Sequence, residues 1–490
     1  MSVILACDVG TSSLKLAAFD ADGRLLAATQ HGYPTETPHP GWTEQDPEDW
    51  IHALAAAVAD LAAGGHVARA EAIAFTGQMS AVVLAGDDGT AVRPAMIWSD
   101  TRATAEADEI GAEVGREAHV DLTGSPPGAT YPAAKMRWLA RHEPGSLGRA
   151  RTMLQPKDFI IARLTGVAAI DPSDASCTGF MDIARDRWEE GLAGAGAHLL
   201  PEIRPSASVV GRVRAEAAWS GLPAGLPVVL GGGDGPVTAL GVGAAASGRI
   251  YACLGTSAWI SEIAAGPSAD PGRRLISYRH VVPGLHAVTG STQNCGNVLQ
   301  WLAGRVAGAA TWRDTLEADL AAVPPGSEGL LFIPYLHGER APWWDPGIRG
   351  ALLGIDPSHG ASHFVRATIE GIGFELRQIL DVFRAAGGAR PPLAIVGGIS
   401  ESAAVRRLLA EILGMPVAPV AQGGQATVRG AAMLGAMALG IAGVGDVARW
   451  VEVGAAIVPE TEADPRLERA RRGFDAGYAA LVAIRTAMDG

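Results

Sequence analysis

Cys7-Asp8-Val9-Gly10-Thr11-Ser12, near the start of the chain, returns past the midpoint as Ala252-Cys253-Leu254-Gly255-Thr256-Ser257. The two Gly-Thr-Ser triplets lie 255 − 10 = 245 residues apart, half of the 490 in the chain. Apolar residues run into each triplet (Val3-Ile4-Leu5-Ala6 and Ile250-Tyr251-Ala252). A second strand-like run leaves each one (Leu14 to Phe19 and Ala258 to Ile263). The pattern predicts two β-hairpins with Gly-Thr-Ser turns. It also predicts an α/β chain made of two duplicated domains, 1–245 and 246–490, with the break near Gly235–Gly248.

The flanking sequence extends this. In the first half, strands are expected at Leu25–Thr29, Glu71–Phe75, Ala81–Leu84 and Val228-Val229-Leu230. Asp46-Pro47-Glu48-Asp49 opens a helix to Ala63, with Asp46 as N-cap and Pro47 at the first helical position. In the second half, strands are expected at Leu330–Ile333 and Leu393–Val396. Helices are expected over Ser362–Ala386, Ala403–Leu413 and Pro465–Met488. Strand–helix alternation of this kind builds α/β domains.

Composition narrows the function. The chain is 48% hydrophobic and 19% charged, long enough for more than one core. A net charge of −13 argues against partners such as nucleic acid or an anionic membrane. Four cysteines without a C-x-x-C pair predict neither a disulfide framework nor a structural zinc site. The opening MSVILACDVG lacks a basic segment, and Asp8 interrupts its apolar run, so a cytoplasmic protein is expected. The uncharged stretch Gly430–Gly445 is too short to span a bilayer and is expected to be a buried Ala/Gly helix.

Three features carry chemistry. A Gly-Thr-Ser turn lets backbone amides and hydroxyls approach phosphate oxygens. One copy would pass for an ordinary turn; two copies at matched positions favour phosphate binding across a cleft. Asp8 ends an apolar strand, where a carboxylate is costly without a partner. Mg²⁺ suits it, because that ion binds through few carboxylates plus substrate phosphates. Asp234 lies in the run Gly231-Gly232-Gly233-Asp234-Gly235 after an apolar strand, which suits a general base. The chain has no P-loop motif. Gly241-Val242-Gly243 imitates a dinucleotide fingerprint but is read as helix packing.

Taken together, these segments resemble the FGGY group of carbohydrate kinases, within the actin-like ATPase superfamily, over essentially the whole chain. Asp8 to Ser12 resembles the first phosphate motif and Leu254-Gly255-Thr256-Ser257 the second. Thr76-Gly77-Gln78-Met79 and Trp98-Ser99-Asp100-Thr101-Arg102 resemble sugar-contact segments. Tyr131 to Leu139 resembles a family signature, Gly232-Gly233-Asp234 the catalytic-base loop, and Gly397 to Ser402 the adenosine loop.

The resemblance implies two ribonuclease-H-like domains around a central cleft. It implies ATP and Mg²⁺ as cofactors, Asp234 as catalytic base and Asp8 as the organiser of the metal. Gly10, Thr11, Ser12, Gly255, Thr256, Ser257, Gly296, Gln300, Gly397, Gly398 and Ser402 would contact the nucleotide. Gln78, Met79, Ser80, Trp98, Asp100, Arg102 and Tyr131 would contact a small-molecule sugar, phosphorylated on a terminal hydroxyl. D-Xylulose is the first candidate. Gluconate or another sugar acid or ketose is the alternative, with Arg102 available to a carboxylate. Ser80 stands where members acting on D-xylulose carry histidine. A homodimer is an open expectation. An actin-like chaperone or filament ATPase, or an inactive sugar sensor, would be the competing classes.

Overall fold

The computed structural model describes residues 2–304, 312–313, 315–460 and 464–489. Each expected hairpin nucleates a six-stranded sheet. In the first half, β1 (Val3–Val9), β2 (Ser13–Asp20), β3 (Leu25–Gly32), β4 (Ala70–Gly77), β5 (Val209–Arg212) and β6 (Pro227–Gly233) lie in the order β5-β6-β4-β1-β2-β3. β1, β2 and β3 are antiparallel neighbours, whereas β4 and β6 run parallel to β1.

The second half repeats the plan. β7 (Ile250–Leu254), β8 (Ala258–Ala264), β9 (Ile276–Arg279), β10 (His286–Thr292), β11 (Leu393–Val396) and β12 (Val417–Pro419) lie in the order β9-β10-β8-β7-β11-β12. Antiparallel β7, β8 and β10 mirror β1, β2 and β3, and parallel β11 and β12 mirror β4 and β6. The duplication read from two triplets is therefore a duplication of topology, two α/β domains each of the ribonuclease-H-like kind.

The helices explain where the core sits. Pro47–Ala63 starts as expected, with Asp46 accepting from the Glu48 amide and Pro47 in the first turn. Its Trp50, Leu54 and Val58 bury against the outer face of the first sheet. Ala361–Ala385 covers the second sheet in the same way.

The facing sides of the two sheets share a third core. There the helix after β6, Asp234–Gly241, meets its counterpart after β12, Ala426–Ala438. The pair runs antiparallel. A Cβ on Gly241 would collide with the Ala426 carbonyl, and one on Gly430 with the Val237 carbonyl. Thr238 and Thr427 hydroxyls meet at 2.8 Å, and Arg429 Nε donates to Gly241 O at 2.8 Å. Of the uncharged stretch Gly430–Gly445, the part up to Ala438 is a buried helix packed on the first domain, whereas Gly440–Gly445 is largely exposed and outside that helix; Gly241 is a packing glycine.

Some boundaries move for local reasons. The strand expected at Ala81–Leu84 runs over Val83–Ala85 and pairs with Thr152–Leu154 outside the main sheets. Ala81 is withdrawn because the Gln155 side-chain amide takes both its N–H and its carbonyl, at 2.9 and 3.0 Å. The strand near Leu330 spans Leu331–Ile333 and pairs only with Ala351–Leu353. Among the described residues, no helix is long and apolar enough to cross a membrane.

Candidate active site

Register alone gathers the acids. Asp8 pairs with Thr76, and Thr76 with Gly232; Val9 pairs with Gly77, and Gly77 with Gly233. Three parallel strands therefore end side by side, delivering Asp8, the Gln78-Met79-Ser80 loop and Asp234 to one edge. That carboxyl edge is where open α/β sheets bind ligands. Burial raises the Asp234 carboxyl from 3.8 to about 7, with the charge of Asp8 adding to it. Burial likewise lifts Asp8 to about 6, against the pull of Lys15. Asp234 is held at the first turn of its helix, where Oδ1 accepts from the Gly235 amide at 2.8 Å. A group poised near 7 is suited to accept a hydroxyl proton.

The first phosphate turn is braced from several sides. Gly10 N donates to Ser13 O at 3.1 Å, and the Tyr33 hydroxyl donates to Gly10 O. Gln45 Nε2 donates to Thr11 O at 2.6 Å, and Gln78 Nε2 to Gln45 Oε1 at 2.9 Å. Trp98 Nε1 donates to Thr11 Oγ1 at 2.9 Å, which ties the expected sugar wall to the phosphate turn. Met79 leans on the base loop: a Cβ on Gly233 would stand 2.6 Å from Met79 Cγ. Ser80 takes a left-handed φ of 62° and turns its Oγ to Cys177 Sγ at 2.7 Å. Cys177 in turn lies close enough to Tyr131 to affect its ionisation.

Asp8 Oδ1, Thr76 Oγ1 and Gln78 Oε1 are buried without a hydrogen-bond partner. Buried oxygens left open in this way suit a hydrated cation, so these residues fit Mg²⁺.

Asp100 and Arg102 pair with each other. Asp100 is fully buried and accepts from Thr43 N at 2.7 Å and from Arg102 Nη2 at 2.6 Å. Arg102 also pairs with Glu44 at 2.7 Å, and its guanidinium lies 3.7 Å from the Trp42 ring. Its charge is met by two carboxylates, while its Nη1 is buried without a hydrogen-bond partner.

The second domain presents the matching half. Gly255 N donates to Ser257 O at 2.9 Å, closing the Gly255-Thr256-Ser257 turn. The helix Gly296–Leu302 docks on it, with Gly296 N donating to Gly255 O at 3.0 Å; a Cβ at Gly296 would lie 2.6 Å from that oxygen. Gln300 is exposed on the same helix. Gly397, at φ 100°, presses against Leu254 so closely that a Cβ would collide with its carbonyl. Gly398 O accepts from Arg313 at 3.3 Å, and Ser402 caps the helix Ala403–Leu413. The halves touch where Tyr251 Oη donates to Gly235 O at 3.1 Å, one residue past the base.

Several supporting groups were not evident in the sequence. Lys135 is fully buried, and its ammonium donates to Ser80 O at 2.8 Å and Ile97 O at 2.6 Å, fixing both sugar loops. Burial lowers it to about 7. A lysine amid Met136, Trp138 and Leu139 was the available signal. Behind the base loop, Gly233 N donates to Ser173 Oγ at 3.0 Å, and Ser173 Oγ to Asp171 at 2.5 Å. Buried Lys157 lies 2.5, 3.3 and 3.1 Å from Asp158, Asp171 and Asp174.

Two duplicated α/β domains, each with a Gly-Thr-Ser hairpin turn, and two acids side by side at one sheet edge place the protein in the class of phosphotransferases. The profile of the FGGY family of carbohydrate kinases, N-terminal domain, matches residues 3–241, and that of its C-terminal domain matches residues 250–439. The chain belongs to this family and is a sugar kinase. It is 31% identical over 446 residues to the xylulose kinase of Bacillus subtilis, covering 90% of this chain and 89% of that protein. It is 30% identical over 457 residues to the gluconokinase of the same organism, covering 90% and 88%. The crystal structure of a xyloylose kinase from Brucella ovis superposes with a TM-score of 0.90 at 30% identity, covering 98% of this chain and all of that one.

Proposed function

We propose that the protein transfers the γ-phosphoryl group of ATP to the terminal primary hydroxyl of D-xylulose, giving D-xylulose 5-phosphate. The observation that carries the chemistry is the meeting of Asp8 and Asp234 at one sheet edge, opposite a second Gly-Thr-Ser turn. The xylulose kinases among its relatives support the sugar. The gluconokinase, at similar identity, makes gluconate the second reading.

Asp234 orients the acceptor hydroxyl and takes its proton late, since phosphoryl transfer passes through a loose transition state. Asp8, with the Thr76 and Gln78 oxygens beside it, would hold Mg²⁺ through water. The ion, when bound, neutralises phosphate charge. Amides and hydroxyls of Gly10-Thr11-Ser12 and Gly255-Thr256-Ser257 grip the phosphates from opposite walls. Gly296, Gln300, Gly397, Gly398 and Ser402 form the nucleoside side. Trp98, Gln78, Met79, Ser80 and Tyr131 form the sugar side, with Asp100 and Arg102 stiffening it from below. Closure of the domains excludes water, the competing acceptor. A cytoplasmic place suits ATP as donor and the four unpaired thiols.

The test is coupled ADP release over D-xylulose, other ketoses, D-gluconate and polyols. The highest kcat/KM is expected for D-xylulose. A higher value for D-gluconate would overturn the ketose assignment.

A further inference from the structure

The loop that delivers the base has almost no side chains of its own. Gly231, Gly232 and Gly233 end β6 and lead straight into Asp234, and glycine loses more backbone freedom on being fixed than any other residue. The ladder to β4 slips there, between Val229 and Gly232. The Asp234 carboxyl accepts from the Gly235 amide within its own helix, so its place in the cleft follows the backbone before it. Among the described residues, the one side chain whose hydrogen bond reaches residues 231–233 is Ser173, whose Oγ accepts from Gly233 N at 3.0 Å. The approach is close: a Cβ on Gly232 would stand 2.7 Å from Ser173 Oγ and 3.0 Å from Asp171 Oδ2.

Ser173 is aimed by Asp171. Oδ2 of this buried carboxylate accepts from Ser173 Oγ at 2.5 Å, from Ser173 N at 2.9 Å and from Ser206 Oγ at 2.8 Å, and Lys157 Nζ lies 3.3 Å from Oδ1. A carboxylate only accepts, so the hydroxyl proton of Ser173 is held by Asp171 and its lone pairs are left for the Gly233 amide. Hydrogen bonds linked in such a chain strengthen one another. The short helix that carries Ser173, Pro172–Ser176, is fixed at its other end as well. Ser176 Oγ accepts from Arg279 N on β9 at 2.9 Å, and Cys177 meets Ser80 in the sugar loop. Base loop, sugar loop and second domain are thus all tied to one buried turn of helix.

We propose that Ser173, aimed by Asp171, is a positioning residue for phosphoryl transfer: through the Gly233 amide it sets where the Asp234 carboxyl stands against the acceptor hydroxyl. This rests on the assignment of Asp234 as base made above. It adds a residue that touches no substrate and governs the chemical step, not binding, since a displacement of about 1 Å in a reacting group can cost about a hundredfold in rate.

Steady-state kinetics of the full chain, with ATP and the faster of D-xylulose and D-gluconate, test it in Ser173→Ala, Ser206→Ala, Asp234→Asn and the double variant Ser173→Ala/Asp234→Asn. Ser173→Ala should lower kcat about 10- to 100-fold while both KM values stay within about threefold. The Ser206 hydroxyl bonds the same Asp171 oxygen and nothing on the base loop. Ser206→Ala should therefore lose comparable thermal stability and keep kcat within about threefold. In the Asp234→Asn background, where no base is left to place, Ser173→Ala should lower kcat by less than about threefold more. Equal factors in both backgrounds, or an equal fall in kcat from Ser206→Ala, would mark a general structural role and overturn the proposal. So would an unchanged kcat in Ser173→Ala. Ser173→Cys keeps the shape with a weaker acceptor and should fall between wild type and Ser173→Ala; it decides the same question if the alanine variant folds poorly. An Asp234→Asn variant with wild-type kcat would remove the base assignment and this proposal with it, whereas multiplying losses would overturn the positioning role alone.

Discussion

Asp234→Asn should cripple the enzyme and stabilise the ligand-free protein. The carboxyl is raised from 3.8 to about 7, first by burial and then by Asp8. A raised carboxylate costs stability with a definite sign. Below pH ~4 the group is protonated in folded and unfolded chains alike, and the cost is absent. Between ~4 and 7 the unfolded chain ionises while the folded one does not, so the cost grows; above 7 it is constant. Each tenfold in proton affinity is ~1.4 kcal/mol, which sets an upper bound of about 4 kcal/mol. Water on the cleft side of Asp234 screens part of this, leaving about 1–2 kcal/mol. At ~2.1 cal/mol/K per residue, a chain of this length gains ~1 °C per kcal/mol. Differential scanning fluorimetry without ligands should place Asp234→Asn about 1–2 °C above wild type at pH 8 and level with it at pH 4.5. In the same variant kcat should fall ~10²–10⁴-fold, and wild-type kcat/KM should rise with pH through about 7. A variant that melts below wild type at pH 8, or one that keeps its kcat, would refute the reasoning.

Asp8→Asn should raise the Mg²⁺ concentration giving half-maximal rate; an unchanged titration would remove Asp8 from metal binding. Lys157→Met leaves Asp158, Asp171 and Asp174 buried without their cation and should cost about 3–5 kcal/mol at pH 8. The loss should shrink toward pH 5.5, where Asp158, raised by burial to about 6, takes up a proton; a pH-independent loss would contradict this. Gly430→Ala forces a methyl group against the Val237 carbonyl and should lower stability by about 1–3 kcal/mol, read as a thermal shift. An unshifted melt would show that the helix pair can spread without penalty.

The fold was legible because a hairpin is local: apolar runs on both sides of Gly-Thr-Ser declare two strands and the turn between them, and matched copies declare the duplication. Asp8 and Asp234 were legible as acids in improbable places, at an apolar strand end and in a glycine run. Their meeting depends on β1, β4 and β6 ending in register, which two pairings between residues distant in sequence, Asp8 with Thr76 and Thr76 with Gly232, decide. Arg102 shows the limit. Its sequence neighbourhood marks it as a sugar contact, but Glu44 and Trp42, far off in sequence, take its charge. Ala81 lost its strand to a side-chain amide seventy-four residues away.

The glycine-to-carbonyl crossing of Asp234–Gly241 with Ala426–Ala438 lies in the core shared by the two sheets. It serves as a bearing. The helices meet backbone to backbone at Gly241 and Gly430, while the Thr238–Thr427 and Arg429–Gly241 hydrogen bonds set their register, so a roll of one against the other must exchange only these few bonds. Asp234, the proposed base, is the first residue of one of these helices, so any roll of the bearing carries it along. The fraction of turnovers wasted on hydrolysis should respond to changes there, remote from every phosphate contact.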